Sequence, residues 1–125
     1  MIGRFASAIA AATLLSGCGD RARPVQYDPG PVPAEHAAGE RMFNAGCARC
    51  HGSLAAGTDL GPPLVHVYYV PNHHADAAFR RAVEFGVQAH HWGYGPMPPV
   101  EGLTEPEVEQ IIGYVRWLQR RAGIS

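Results

Sequence analysis

The stretch Cys47-Ala48-Arg49-Cys50-His51 constrains this chain more than any other, because it has the form Cys-x-x-Cys-His. Two thiols three positions apart can each form a thioether to one vinyl group of a haem, and the histidine that follows can ligate the iron. Cys47 and Cys50 are therefore predicted to attach a c-type haem covalently. His51 is predicted to be the first axial ligand of the iron.

Two other sites use the Cys-x-x-Cys spacing. Half of a structural zinc site needs a second Cys or His pair at ligand spacing. A redox-active dithiol of the thioredoxin type needs a surrounding βαβ pattern, which this sequence lacks. The remaining cysteine, Cys18, lies near the N-terminus, so we predict no disulfide.

The composition limits the size of the fold and the class of partner. A chain of 125 residues corresponds to one domain. It has 10 basic and 11 acidic residues, and every basic one is arginine, so nucleic acid is not an expected partner. A domain of about 90 residues buries a modest share of its surface and needs additional stabilisation. A covalently held haem would supply it.

The N-terminus resembles a bacterial lipoprotein leader. Arg4 precedes an apolar run over residues 5–15 that is too short to cross a bilayer, which is typical of a secretory signal peptide. Leu15-Ser16-Gly17-Cys18 resembles a lipobox, in which Cys18 is lipidated and becomes the first mature residue. We therefore predict a signal peptide over residues 1–17 and a membrane anchor on the periplasmic side. The alternative is an ordinary signal peptide with a chance cysteine.

The segment that follows is rich in Pro and Gly. Residues 18–33 contain four prolines and no apolar period, which predicts a tether between the lipid and the folded part. If extended, about 15 residues would reach on the order of 45 Å. The folded domain is then predicted to occupy residues 34–125.

Three segments of the domain have helical patterns. The first runs from Ala34 to Asn44, with Gly46 as a stop before the cysteines. The second follows possible capping side chains in residues 72–76 and runs to Gly86. The third begins at a capping box formed by Thr104 and Glu107 and ends at Gly123; its apolar positions are Val108, Ile111, Ile112, Val115 and Leu118. The predicted fold class is all-α.

Taken in order, these motifs resemble a class I, single-haem cytochrome c over Ala34 to about Gly123. The resemblance implies three to four short helices wrapped around one covalently attached haem. It also implies that the N- and C-terminal helices cross, at Gly39 with Phe43 and at Ile111 with Tyr114. Gly61-Pro62-x-Leu64 resembles the loop in which the Pro62 carbonyl accepts a hydrogen bond from the iron-ligating histidine.

The second axial ligand is predicted to be Met97. The resemblance places it in the loop that carries the distal ligand. The chain has only two other methionines, and neither is a suitable ligand. Met1 leaves with the signal peptide, and Met42 lies five residues before Cys47 on a short helix. His90 or His91 is the competing choice.

A His/Met pair raises the reduction potential relative to two nitrogen ligands and leaves no open coordination position. The predicted function is therefore that of a single-electron carrier, not an enzyme, with haem c as its cofactor and redox proteins as its partners. A haem enzyme such as a peroxidase would need an open position on the iron.

Two adjacent histidine pairs depart from a generic member of that family. His73-His74 and His90-His91 flank the second predicted helix, and imidazole suits copper, zinc or nickel. A folded-back loop could bring the two pairs together as a second metal site. Exposed or capping histidines are the simpler interpretation. The alternative function is that of a histidine-rich metal-binding or redox-sensing haem lipoprotein.

Overall fold

A computed structural model describes residues 21–124 of the chain. The predicted signal peptide, residues 1–17, and the predicted lipidation site, Cys18, lie outside this range and stay predictions. No helix within residues 21–124 has both the length and the apolar character needed to cross a bilayer.

The described part of the chain is helical. Its four α-helices are α1 (Ala37–Gly46), α2 (Ala48–His51), α3 (Asp76–Phe85) and α4 (Glu105–Arg121), with 3₁₀ turns at Ala34–His36 and Val67–Tyr69. The only β-type pairing within residues 21–124 is one isolated bridge between Val87 and Met97. The predicted all-α class is confirmed.

Helix α1 differs from the prediction at both ends. The predicted start at Ala34 is a 3₁₀ turn, and the α-helical part begins at Ala37. At the other end, Gly46 is the last helical residue rather than a break, and α2 follows after Cys47 alone. The Cys-x-x-Cys-His segment is therefore carried on a helical turn that directly continues the terminal helix.

The crossing of α1 and α4 depends on a glycine. A Cβ at Gly39 would lie 2.1 Å from the Gln110 carbonyl oxygen and 3.0 Å from Tyr114 Cβ. One turn further along, the Phe43 and Tyr114 rings pack with their centroids 5.6 Å apart, and both side chains are fully buried. The predicted crossing of the terminal helices is confirmed.

Helix α4 begins and ends where the sequence predicted. The Thr104 N–H and hydroxyl both donate to Glu107 Oε2, at 2.8 Å each, and these bonds lower the pKa of the Glu107 carboxyl. Gly123, with φ +76°, follows the last turn. All five predicted core positions are buried: Val108, Ile111, Ile112, Val115 and Leu118.

Helix α3 begins differently from the prediction. Its N-cap is Ala75, and no side chain caps the first turn. Asp76 instead occupies the first turn, where its charge suits the helix dipole, and accepts a hydrogen bond of 2.8 Å from Arg116 Nε on α4. A tertiary ion pair has taken the place of the expected local cap.

Residues 21–33 pack against the domain, which differs from the free tether predicted for residues 18–33. The Val25 N–H donates to the Ala56 carbonyl at 2.8 Å, and the Tyr27 hydroxyl donates to the Leu54 carbonyl at 2.7 Å. From the other side, Arg121 Nε donates to the Pro29 carbonyl at 2.7 Å. The reason is that Tyr27 and Val32, set among the prolines, are apolar enough to join the core.

The docked segment also reaches the loop before Met97. The Tyr94 hydroxyl donates to the Ala22 carbonyl at 3.1 Å, across 72 positions of sequence. The segment is therefore held at both of its described ends.

Candidate functional site

An apolar cavity of about 450 Å³ lies between α1, α3, α4 and the loops after α2 and α3. This volume is in the range of sites that bind cofactors and other small molecules. Its wall is mostly aliphatic and aromatic, and includes Phe43, Leu64, Phe79, Val83, Trp92, Tyr94, Ile111 and Val115. Such a cavity can exclude water from a large planar apolar group.

The Cys-x-x-Cys-His segment lies at this cavity. The Cys50 and His51 amides both donate to the Cys47 carbonyl, at 3.1 and 3.0 Å, which places the three side chains on one helical turn. Cys47 and His51 line the cavity directly. Both cysteines carry free thiols.

The orientation of His51 is set by Pro62. His51 Nδ1 lies 2.8 Å from the Pro62 carbonyl oxygen, and a carbonyl can only accept, so Nδ1 carries the proton. Nε2 is therefore the nitrogen with a lone pair available to a metal. Burial lowers the pKa of the imidazole, against the opposing effect of this hydrogen bond, and so favours the neutral form that ligates iron.

The loop that carries Pro62 is fastened to the same helical turn. The Thr58 hydroxyl donates to the Cys50 carbonyl at 2.6 Å, and the Gly57 amide donates to the His51 carbonyl at 2.7 Å. A Cβ at Gly61 would lie 2.9 Å from the Cys50 carbonyl oxygen, so the loop can approach this closely only with glycine. These contacts place Pro62 within reach of His51.

Met97 lines the same cavity as His51, from a separate segment. It is held by the isolated bridge, in which Val87 and Met97 exchange two backbone hydrogen bonds of 2.9 Å. Gly86 beside the bridge has φ +73°, and a Cβ there would lie 2.3 Å from the Met97 carbonyl oxygen. Met42, by contrast, packs against the hydrophobic core and is not part of the cavity wall.

The two histidine pairs are brought together by the fold. His73, His74 and His91 each place a ring nitrogen within 4.8 Å of one another. His90 is not one of these three, although its ring centroid lies 4.3 Å from that of His91; its Nδ1 faces the Gln88 carbonyl oxygen at 2.9 Å. His90 and His91 also line the cavity, so both lie in the same region as Met97.

The two alternatives for the cysteine pair find no support in this geometry. Burial, with a smaller effect from Cys50, raises the pKa of the Cys47 thiol to about 11, whereas a nucleophilic redox cysteine needs a lowered pKa. A zinc site would need further ligands, but the ligand cluster found within residues 21–124 contains histidines alone.

The sequence relationship agrees with the cavity. A model of the family described as cytochrome c matches residues 36–119. The chain belongs to the cytochrome c family. No curated protein matches it. Membership implies a covalently attached haem c and electron transfer with redox partner proteins. The cavity suits this group, since it combines an apolar wall with the Cys47 thiol and the neutral His51 imidazole, and Cys50 lies on the same helical turn.

Sequence reasoning missed a buried arginine that organises the loop before α3 of this cytochrome c. Arg116 donates to the carbonyls of Tyr69 and His74, both at 2.6 Å, as well as to Asp76. Gln119 accepts from Arg116 at 2.8 Å and donates to Leu64 and Tyr69. The position of Arg116 between Val115 and Trp117, on an apolar face of α4, was the sequence feature that could have indicated a buried arginine.

Proposed function

We propose that this cytochrome c is a class I, single-haem electron carrier, with the haem attached through Cys47 and Cys50 and the iron ligated by His51 and Met97. The observation that supports it is that His51 and Met97 line one apolar cavity from separate, hydrogen-bonded segments. Ligands from two fixed segments can hold a metal from both sides without moving when its charge changes.

When bound, the haem supplies an iron that gains and loses one electron. The chain's own residues set how readily this happens. His51, with its Nδ1 proton held by Pro62, offers Nε2 in a fixed orientation. Met97 offers a thioether, and the apolar wall excludes water; both favour the less charged ferrous state and raise the potential.

Replacement of Met97 tests the proposal. In Met97→Leu the apolar volume is kept but the thioether is lost. We expect the variant to bind carbon monoxide in its ferrous form, to lose the near-infrared sulfur-to-iron band of the ferric form, and to have a potential lower by tenths of a volt. Optical spectra and a redox titration measure all three.

Met42→Leu is the matched control, because Met42 packs on the core outside the cavity. It should keep the band, the potential and the resistance to carbon monoxide. If Met97→Leu keeps the wild-type spectrum while His90→Gln or His91→Gln changes it, the second ligand is a histidine. Carbon monoxide binding by the wild type would instead favour a haem enzyme or sensor, because it requires an open position on the iron.

The second part of the proposal is that the carrier is anchored by lipid at Cys18 on the periplasmic side of a bacterial membrane. Its support is the sequence Leu15-Ser16-Gly17-Cys18. Cys18→Ser should move the protein from the membrane fraction to the soluble fraction, with an unchanged haem spectrum, because Cys18 lies 29 positions before Cys47. Fractionation followed by haem staining measures this. A wild-type protein already found in the soluble fraction would contradict the anchor.

A further inference from the structure

Three histidines from the two ends of α3 meet beside the haem cavity. His73 and His74 lie in the turn before the helix, and His91 lies in the loop after it. One ring nitrogen of each lies within 4.8 Å of the others. The ring centroids of His73 and His91 are 5.3 Å apart, and those of His74 and His91 are 5.2 Å apart. These contacts join segments separated by the whole of the helix.

The hydrogen bonds of the cluster leave lone pairs unused. His74 Nδ1 donates to the Tyr68 carbonyl, so Nε2 is the nitrogen of His74 that remains for a ligand. His91 Nε2 is buried and has no hydrogen-bond partner among residues 21–124. A buried nitrogen without a partner is costly unless a ligand satisfies it. A histidine whose other nitrogen is bonded to a carbonyl has the arrangement usual for a metal ligand.

The backbone beneath the cluster is fixed by α4. Arg116 binds the His74 carbonyl, and both Arg116 and Gln119 bind the Tyr69 carbonyl, at 2.6 and 3.0 Å. Both side chains are buried. The turn that carries His73 and His74 is therefore held in place independently of any ligand. Binding of a ligand would then cost little conformational entropy in this turn.

We propose that His73, His74 and His91 bind one divalent transition-metal ion of the zinc and copper(II) class, separate from the haem iron. Imidazole is a good ligand for both ions, whereas calcium and magnesium prefer oxygen. Metal–nitrogen bonds of about 2.0–2.1 Å place nitrogens of a tetrahedral site roughly 3.4 Å apart. The three nitrogens now lie within 4.8 Å of one another, so small rotations of the rings would bring them to the separation that a bound ion requires. Three protein ligands leave a fourth position for water or another donor.

The ion would connect the turn before α3 with the segment that leads to Met97. His91 lies six positions before Met97, and both residues line the cavity. A bond between the two ends of α3 would restrict opening of that segment. We therefore expect bound metal to stabilise the folded protein without taking part in iron ligation.

The test is calorimetric titration of the full-length, haem-loaded protein, without an affinity tag and after treatment with chelator, using Zn²⁺ alone. We expect one Zn²⁺ per chain and no competition from an excess of Mg²⁺. Each of His73→Gln, His74→Gln and His91→Gln should weaken binding by about a hundredfold or more. The matched control is His36→Gln, since His36 packs against Trp117, away from the cluster, and should leave the affinity unchanged.

Thermal unfolding gives a second measurement. Saturating Zn²⁺ should raise the unfolding midpoint of the wild type and of His36→Gln, but not that of the triple variant lacking all three histidines. The proposal is overturned if the triple variant binds Zn²⁺ as tightly as the wild type, or if the wild type binds none. It also fails if His91→Gln removes a ligand from the iron, because His91 would then belong to the haem.

Discussion

Replacing both Cys47 and Cys50 by serine should give a chain that carries no covalent haem and does not fold. A serine hydroxyl does not add to a vinyl group as a thiol does, so neither thioether can form. The cavity of about 450 Å³ would then lose the covalently held group that fills it, in a domain whose core is small. We expect acid extraction into organic solvent to leave no haem on the polypeptide, and circular dichroism to show loss of most helical signal.

The single variants are the intermediate cases for this experiment, and Cys18→Ser is its control. Cys47→Ser or Cys50→Ser alone leaves one thioether, so a reduced amount of haem should stay on the chain. Cys18→Ser also removes a thiol, but that thiol lies outside the Cys-x-x-Cys-His segment, so haem content should equal that of the wild type. Haem that stays covalently bound to the double variant would rule out the assignment of the two attachment sites.

Gly39→Ala should destabilise the protein more than alanine at either of the other two helical glycines of the described chain, Gly46 and Gly113. The new Cβ would lie 2.1 Å from the Gln110 carbonyl oxygen, which belongs to the backbone of α4 and cannot rotate away. Relief requires the two helices to separate along the contact that buries Phe43 and Tyr114. We expect a loss of about 3 kcal/mol of unfolding free energy, and a fall in the unfolding midpoint on the order of 10–20 °C.

Gly46→Ala is the matched control on the same helix. Its Cβ would lie 4.0 Å from Val100 Cγ1, an ordinary contact. Alanine is favoured over glycine in helices by roughly 0.8–1 kcal/mol, so this variant should be as stable as the wild type or slightly more so. Thermal unfolding of both variants in the haem-loaded, oxidised state makes the comparison. Equal midpoints for the two variants would contradict the close crossing.

Local patterns in the sequence were sufficient to predict the helices that form the core. The capping box at Thr104 and the apolar period of α4 act within a few residues, so both could be predicted, as could the stop at Gly123. The crossing at Gly39 could be predicted because a glycine four positions before a phenylalanine matched a family pattern. The family match over residues 36–119 agrees with that reading.

The features that were missed depend on contacts between distant parts of the chain. The ion pair of Asp76 with Arg116 spans 40 positions, and no local rule favours it over a side-chain cap. The docking of residues 21–33 depends on two apolar side chains among prolines, a signal too sparse to show a period. The cluster of His73, His74 and His91 depends on how the loop after α3 folds back. The sequence indicated that the pairs could meet, but not that only three of the four histidines would bring ring nitrogens within 4.8 Å of one another.

If the protein is anchored at Cys18, the docked N-terminal segment would limit the distance between the haem domain and the bilayer. The four residue steps from Cys18 to Ala22 span at most about 14 Å, against roughly 45 Å for the fully extended tether that the sequence alone predicts. The Ala22 carbonyl accepts a hydrogen bond from the hydroxyl of Tyr94, a residue of the cavity wall. The haem would then travel in a thin layer next to the headgroups with a restricted tilt. Collisions with its partners would be governed by lateral diffusion, and a soluble partner would have to reach the membrane surface to exchange an electron.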